Sequence, residues 1–119
     1  MDIVEFANRY VSLWNEPDER SRKRMVEALW TPAGSHFVGS RAIRGYHALE
    51  QRVAEAHNKN VAQGGHVFSL RSVHSVHDAV ILDWTMHPAT GGDPVAAGRD
   101  VLLVDPDLRI VADYQVIVA

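Results

Sequence analysis

The stretch Ala97 to Val118 constrains the fold more than any other part of the sequence. Two runs rich in valine, leucine and isoleucine flank Asp105-Pro106-Asp107. Proline presets φ and aspartate side chains bond to nearby backbone, so this tripeptide is typical of a turn. The stretch therefore predicts a β-hairpin. A symmetric hairpin about this turn places Asp100 directly opposite Asp113.

Two carboxyls that face each other across paired strands repel, so the sequence must accommodate them. Either both aspartates are exposed to water, or they lie where one of them keeps its proton. Both alternatives remain open. Their face also carries Leu102, Val104, Val111, Gln115 and Ile117, and the other face carries Val101, Leu103, Ile110, Ala112, Tyr114 and Val116. Because both faces are apolar, we expect helices to cover one and a second copy of the chain to cover the other, as a homodimer.

Length and composition predict a single domain spanning residues 1–119. A chain of 119 residues can bury a core without disulfides, and the absence of cysteine excludes disulfides and thiolate sites. The net charge is −3 with acids and bases mixed, so we predict no nucleic-acid partner. No apolar run approaches the length of a membrane span, so we also predict no membrane partner. We expect a cytoplasmic protein.

Three amphipathic helices are predicted before the main strands. Asp2 and Glu5 form a capping box for the first helix, and Pro17 suits the start of the second. The predicted helices run from 3 to about 15, from 17 to 30, and from 46 to 58–60. A brief strand at 36–38 is followed by a loop, and strands at 66–73 and 79–87 precede the hairpin. This order predicts an α+β fold.

Seven histidines require that a metal site be considered. His74 and His77 are three residues apart in a strand or turn, where that spacing does not bring both imidazoles to one side. No HExxH pattern occurs, and we therefore predict no metal. His36 differs because its short strand places it between helices and sheet. There it is either a general base in a cavity or a histidine at a strand edge that is exposed or has its hydrogen bonds satisfied.

Two local stretches resemble a known superfamily. They are Arg9 to Asn15 with Asp18, and His36 to Ser40. With the order of elements, they are similar to the nuclear transport factor 2-like superfamily, and within it to its ketosteroid isomerase and SnoaL-like polyketide cyclase branch. The resemblance implies a cone-shaped curved antiparallel sheet wrapped by three N-terminal helices around a pocket. It also implies a dimer through the outer face of the sheet.

The resemblance implies roles for individual residues. Tyr10 stands where the isomerase has the tyrosine that binds the substrate oxyanion, and His36 where it has the carboxylate that moves the proton. Asp100 stands where it has a neutral aspartic acid that assists the tyrosine. Asp100 and Asp113 would then share a proton in an apolar pocket. The implied pocket residues are Trp14, Trp30 and Phe68, with Trp84 and Met86 either lining the pocket or covering the outer face.

A second resemblance concerns Asp113-Tyr114, which is similar to the setting of the catalytic aspartate in limonene epoxide hydrolases. The other acid of those enzymes would correspond to Asp83, while Ile81 occupies the place of their arginine. Epoxide hydrolysis through an aspartate pair is therefore one alternative function.

Two broader classes of function fit the sequence. The first is a cofactor-independent isomerase, cyclase or dehydratase for a small apolar ligand that carries a carbonyl or similar oxygen. In that enzyme His36, across the cavity, exchanges a proton while Tyr10 and protonated Asp100 stabilise the oxyanion. The second is a non-catalytic ligand-binding or dimerisation module.

Overall fold

Three helices and a six-stranded sheet make up the computed structural model, which describes residues 2–119. The helices are α1 Ile3–Asn15, α2 Glu19–Leu29 and α3 Tyr46–Ala56, and a π-helical segment His57–Gln63 continues α3. The strands are β1 Trp30–Val38, β2 Arg41–Arg44, β3 His66–Val76, β4 Ala79–Pro88, β5 Ala96–Val104 and β6 Ile110–Ile117. The predicted α+β class and the three helices are confirmed.

Short polar side chains fix the starts of the first two helices. The Asp2 carboxylate accepts a hydrogen bond from the Glu5 amide, which is one half of the predicted capping box, while the Glu5 carboxylate accepts from Arg9. Asp18 accepts from the Ser21 amide at 2.8 Å, so α2 begins after Asp18 and Pro17 lies outside the helix. The Asp18 carboxylate satisfies a free amide of the first turn, which makes Asp18 the N-cap and leaves Pro17 just before the helix.

The sheet has the strand order β2-β1-β6-β5-β4-β3. It is curved and unclosed, and all its pairings are antiparallel except that of β1 with β6. β1 starts directly after α2 and is much longer than the predicted strand at 36–38. The predicted loop after it holds β2, joined through Gly39 at φ +58°. The parallel pairing sets His36 beside Asp113.

The hairpin of β5 and β6 forms, but its predicted register is wrong. Asp100 pairs with Gln115, and Asp113 pairs with Leu102. The turn is longer than expected because the Asp105 amide donates to the Arg109 carbonyl, closing a loop rather than a tight turn. The register moves by two residues, so both aspartates keep the same face.

Irregular pairing at the hairpin end reverses two further predictions. Ile110 is fully buried, although we expected it on the face opposite the aspartates, and Val111 is half exposed. The pairing shifts register between Leu103 and Val104, which indicates a bulge. The bulge turns the side chains at the start of β6 to the opposite face of the sheet.

The helices pack on the concave face of the sheet and form one core. Phe6, Leu13, Val26, Leu49, Val53, Leu82, Leu102 and Ile110 are among its fully or nearly fully buried members. On β6, Tyr114 and Val116 stay about half exposed. The homodimer through this outer face stays a prediction. None of the helices within residues 2–119 is long and apolar enough to cross a membrane.

Candidate active site

The four predicted catalytic residues meet inside the core. Tyr10 comes from α1, His36 from β1, Asp100 from β5 and Asp113 from β6. Tyr10 is 2% exposed and the other three are 0% exposed. The alternative in which both aspartates are exposed to water is therefore excluded.

Hydrogen bonds join these residues into a buried polar chain. The Tyr10 hydroxyl lies 2.9 Å from Oδ2 of Asp100 and 2.5 Å from Oδ2 of Asp113. The same Asp113 oxygen lies 2.7 Å from Nδ1 of His36. At the other end, Nε1 of Trp84 donates to Oδ1 of Asp100 at 2.8 Å. The buried polar chain thus runs Trp84, Asp100, Tyr10, Asp113, His36.

Counting protons assigns the charge states of the two aspartates. The single Tyr10 proton can serve only one carboxylate, so the other carboxyl must be protonated and donate to the tyrosine oxygen. Burial, reinforced by the nearby Asp113, raises the pKa of Asp100 well above its ordinary value. Burial also raises the pKa of Asp113, but only to about 6, because the hydrogen bond from Tyr10 and the positive charge of Arg52 favour its charged form. Asp100 is therefore the neutral acid at pH 7, and Asp113 is the carboxylate.

His36 completes this assignment as a neutral imidazole. Burial lowers its pKa to about 4. Nδ1–H then donates to the Asp113 carboxylate, and Nε2 keeps a lone pair. Within residues 2–119, this buried Nε2 has no hydrogen-bond partner. A proton on Nε2 would therefore be a buried donor without an acceptor, which costs about 1–3 kcal/mol.

A cavity of about 330 Å³ lies against one end of the buried polar chain. Tyr10 and Asp100 form part of its wall, and the predicted pocket residues Trp14, Phe68, Trp84 and Met86 form its aromatic and apolar part. Its volume is at the lower end of the range for small-molecule sites. The alternative in which Trp84 and Met86 cover the outer face is excluded.

Trp30 does not line this cavity, contrary to the prediction. It is fully buried in the core, where its ring packs against Tyr10 with centroids 5.8 Å apart. Its Nε1 donates to the Ser35 carbonyl at 3.2 Å. Because α2 ends at Leu29, Trp30 starts β1 and supports Tyr10 from behind.

His36 also lies away from the cavity wall. The ring of Trp14, which does line the cavity, packs over the imidazole with centroids 5.5 Å apart. His36 and Asp113 sit behind Tyr10, on the same side of the cavity as Asp100. The expected arrangement with His36 across the cavity is therefore wrong, because the parallel pairing of β1 with β6 fixes it next to Asp113.

Asp83 is not part of the site. It forms a two-pronged ion pair with the exposed Arg99, at 2.7 and 3.1 Å. Leu82 and Trp84 on either side of it are buried, so Asp83 points to the outer face of the sheet. The predicted pairing of Asp83 with Asp113 in an epoxide hydrolase site is therefore wrong.

Three members of the site have the composition of a metal-binding cluster. His36, Asp100 and Asp113 each contribute one donor atom, and these three atoms lie within 4.8 Å of one another. These donors already bond to the Tyr10 hydroxyl or to each other. Their hydrogen bonds explain the cluster without a metal ion, whose absence stays a prediction.

Gly98 is a structural member of the site that we did not predict. It pairs with Trp84 across β4 and β5, and a Cβ at this position would overlap the indole of Trp84. Trp84 can donate to Asp100 only because position 98 has no side chain. A glycine inside a strand is a signal of such a close approach, and it could have found this residue.

We expect Gly98→Ala to lower the free energy of unfolding by about 1–3 kcal/mol, because the added methyl overpacks the site. Chemical denaturation measures this loss, and tryptophan fluorescence reports the displaced indole. Arg99→Ala, on the outward side of the same strand, is the control and should change stability by at most about 1 kcal/mol. An unchanged stability and emission spectrum in Gly98→Ala would contradict this role.

Comparison with known proteins gives matches at the level of structure. Neither a protein-family model nor a curated protein sequence matches the chain. A SnoaL-like family protein from Agrobacterium tumefaciens, provisionally assigned as an isomerase, is 21% identical with a TM-score of 0.86, over 98% of this chain and 97% of that one. A nuclear transport factor 2-like protein of unknown function from an Exiguobacterium species is 18% identical with a TM-score of 0.73, over 95% and 98%.

A third solved structure is a provisionally assigned polyketide cyclase from Sinorhizobium meliloti. It is 13% identical with a TM-score of 0.71, and the match covers 98% of this chain and 100% of that one. Likeness at such low identity establishes the fold and leaves the activity open. The chain thus has the nuclear transport factor 2-like fold that it shares with SnoaL-like proteins.

Proposed function

We propose that the protein catalyses a cofactor-independent proton transfer on a small apolar molecule that carries a carbonyl or comparable oxygen. The observation that carries this proposal is a protonated carboxyl, Asp100, in the wall of a largely apolar cavity. A neutral acid there can donate a hydrogen bond to an oxygen on which negative charge develops. In a site of low dielectric, that donor acts with little competition from water.

Asp100 is the group that exchanges a proton with the ligand. Of the residues in the buried polar chain, Asp100, Tyr10 and Trp84 face the cavity, and only Asp100 among them is an acid that can release a proton readily. This revises the sequence-based role of His36. The imidazole is a positioning residue whose Nδ1–H stabilises the Asp113 carboxylate.

The buried polar chain lets Asp100 act as both acid and base. When Asp100 passes its proton to the Tyr10 oxygen and Tyr10 passes its own to Asp113, both protons remain within the site. Asp100 is then a carboxylate, Tyr10 is unchanged and Asp113 is protonated. In this second state Asp100 can remove a proton next to a carbonyl. Both carboxyls then carry a proton until Asp100 returns one to another atom of the ligand, which restores the second state. Isomerisation, aldol-type cyclisation and dehydration all use such a pair of steps.

A non-catalytic binding module is the second candidate, and one observation favours it. Both oxygens of Asp100 already have partners, since Oδ1 accepts from Trp84 and Oδ2 bonds to Tyr10. A ligand oxygen must therefore compete with an internal hydrogen bond. If that bond is never given up, the cavity holds its ligand without chemistry.

Hydrogen–deuterium exchange next to the carbonyl of small apolar ketones separates the two candidates. We expect the protein to accelerate this exchange in D₂O, followed by NMR, and Asp100→Asn to slow it by about 10²-fold, because the amide cannot exchange a proton. Asp83→Asn, on the outer face, is the matched control and should retain the rate. Binding of the ketones with equal exchange rates in the wild type and Asp100→Asn would support the binding module instead.

A further inference from the structure

Part of the cavity wall is cationic. Arg41 from β2, Arg52 from α3 and Lys59 from the π-helical segment all line it. Of the cavity-lining residues in the described chain, the acids are Glu55 and Asp100. Since Asp100 is neutral at pH 7, three cations face a single anion. An apolar cavity with this excess of positive charge favours an anionic ligand.

Arg52 is the least exposed of these cations, with a side chain that is 15% exposed. Its guanidinium lies over the ring of Trp14, 5.5 Å from the centroid. Among residues 2–119, its buried Nε has no hydrogen-bond partner. Burial and the neighbouring charge of Arg41 lower the pKa of Arg52, which means that its charge is incompletely compensated.

The acid beside Arg52 does not supply the missing partner. Oε1 of Glu55 lies 3.7 Å from Arg52, longer than a hydrogen bond, and 2.9 Å from NH1 of Arg41. Glu55 therefore bonds to Arg41. The positive charge of Arg52 also lowers the pKa of the buried Asp113, but the two make no hydrogen bond that would occupy the guanidinium.

We propose that the ligand is an organic acid whose carboxylate pairs with Arg52. The planar guanidinium matches a carboxylate in two parallel hydrogen bonds. The apolar body of the ligand then lies against Trp14, Phe68 and Trp84, and its second oxygen reaches Asp100. The substrate class is thus a small apolar keto acid or hydroxy acid. This inference rests on the proposed function, since it uses the same cavity.

Matched pairs of compounds test the inference directly. A panel of aromatic and alicyclic keto acids and their methyl esters, beginning with 4-acetylbenzoate and methyl 4-acetylbenzoate, is titrated by calorimetry or NMR. We expect the acids to bind about tenfold tighter than the esters, as a charge-assisted hydrogen bond implies. Arg52→Met keeps an apolar stem over Trp14 and should remove this preference. Arg44→Met is the matched control, because Arg44 lies over Phe37 at 5.1 Å and does not line the cavity.

Glu55→Gln provides a second variant with an effect of opposite sign. Removing this exposed carboxylate frees Arg41 and takes away a negative charge near Arg52, so we expect the acids to bind about two- to fivefold tighter. Damage to the fold could not produce this gain.

Three outcomes overturn the inference. Equal binding of acids and esters, or a preference that survives Arg52→Met, contradicts the anion site while leaving the proposed proton transfer intact. Failure of every acid and every ester to bind contradicts both proposals together.

Discussion

The free energy of unfolding of Asp100→Asn is expected to rise steadily relative to that of the wild type as the pH increases. In the folded protein Asp100 keeps its proton at pH 7, whereas in the unfolded chain it loses it near the ordinary value of 3.8. The folded state thus binds one proton more, so the free energy of unfolding falls with rising pH until Asp100 ionises. One proton corresponds to about 1.4 kcal/mol per pH unit.

Asparagine removes this pH dependence while it keeps the geometry. Its Oδ1 can accept from Trp84 and its Nδ2 can donate to Tyr10, as the neutral carboxyl does. Denaturation at several values from about pH 7.5 upwards should show the two proteins diverging by about 1.4 kcal/mol per unit for as long as folded Asp100 keeps its proton. Asp83→Asn is the control, since hydrogen bonds from Arg99 lower the pKa of Asp83 and it does not titrate in this range. Parallel curves for the wild type and Asp100→Asn would contradict the assignment.

The range above about pH 7.5 is chosen because two other buried groups change their protonation below it, with opposite effects on stability. Asp113 has a folded pKa raised to about 6, so its contribution to stability is present at acid pH and is lost as the pH rises through 6. His36 has a folded pKa lowered to about 4, so acidification from 6.5 towards 4 charges the unfolded imidazole and destabilises the fold. Above about pH 7.5 both groups are deprotonated in the folded and in the unfolded chain, so Asp100 alone determines the slope contributed by the site.

Tyr10→Phe is expected to lower the free energy of unfolding by about 2–4 kcal/mol, since two buried carboxyls lose their shared partner at once. The change removes one oxygen and leaves the ring between Trp14 and Trp30. It should also raise the pKa of Asp113 further, because the Tyr10 hydrogen bond favours its charged form.

Tyr114→Phe is the matched control for this change. It removes the same atom from a side chain that is half exposed on the outer face, so its effect on unfolding should stay within about 0.5 kcal/mol. Urea denaturation of both variants measures the difference. Equal stability of the two would mean that the hydroxyl between the carboxyls contributes nothing to the fold.

Alternation along strands is the part of the site that could be predicted with most success. The pattern of β5 and β6 placed Asp100 and Asp113 on one face, and this survived a wrong register because side chains repeat every two residues. The register itself depended on the turn. Leu108 adopts φ 59°, a conformation uncommon for leucine, and no local signal indicates the longer loop that it closes.

Long-range pairing is what the sequence could not supply. His36 and Asp113 are 77 residues apart and meet only because β1 runs parallel to β6. The helical pattern correctly predicted that Trp30 is buried. It did not show that the chain changes from helix to strand at Trp30, which turns its side chain away from the cavity. Arg52 shares α3 with the charged residues Glu50 and Glu55, and its low exposure follows from its place over Trp14.

A carbon-13 NMR titration of the aspartate carboxyl carbons tests the central claim most directly, with Asp100→Asn assigning the Asp100 signal. Asp100 should remain protonated at pH 7 while Asp113 titrates near 6. A midpoint for Asp100 near its ordinary value of 3.8 would mean that the cavity wall carries a carboxylate, and the proposed proton transfer would have no acid.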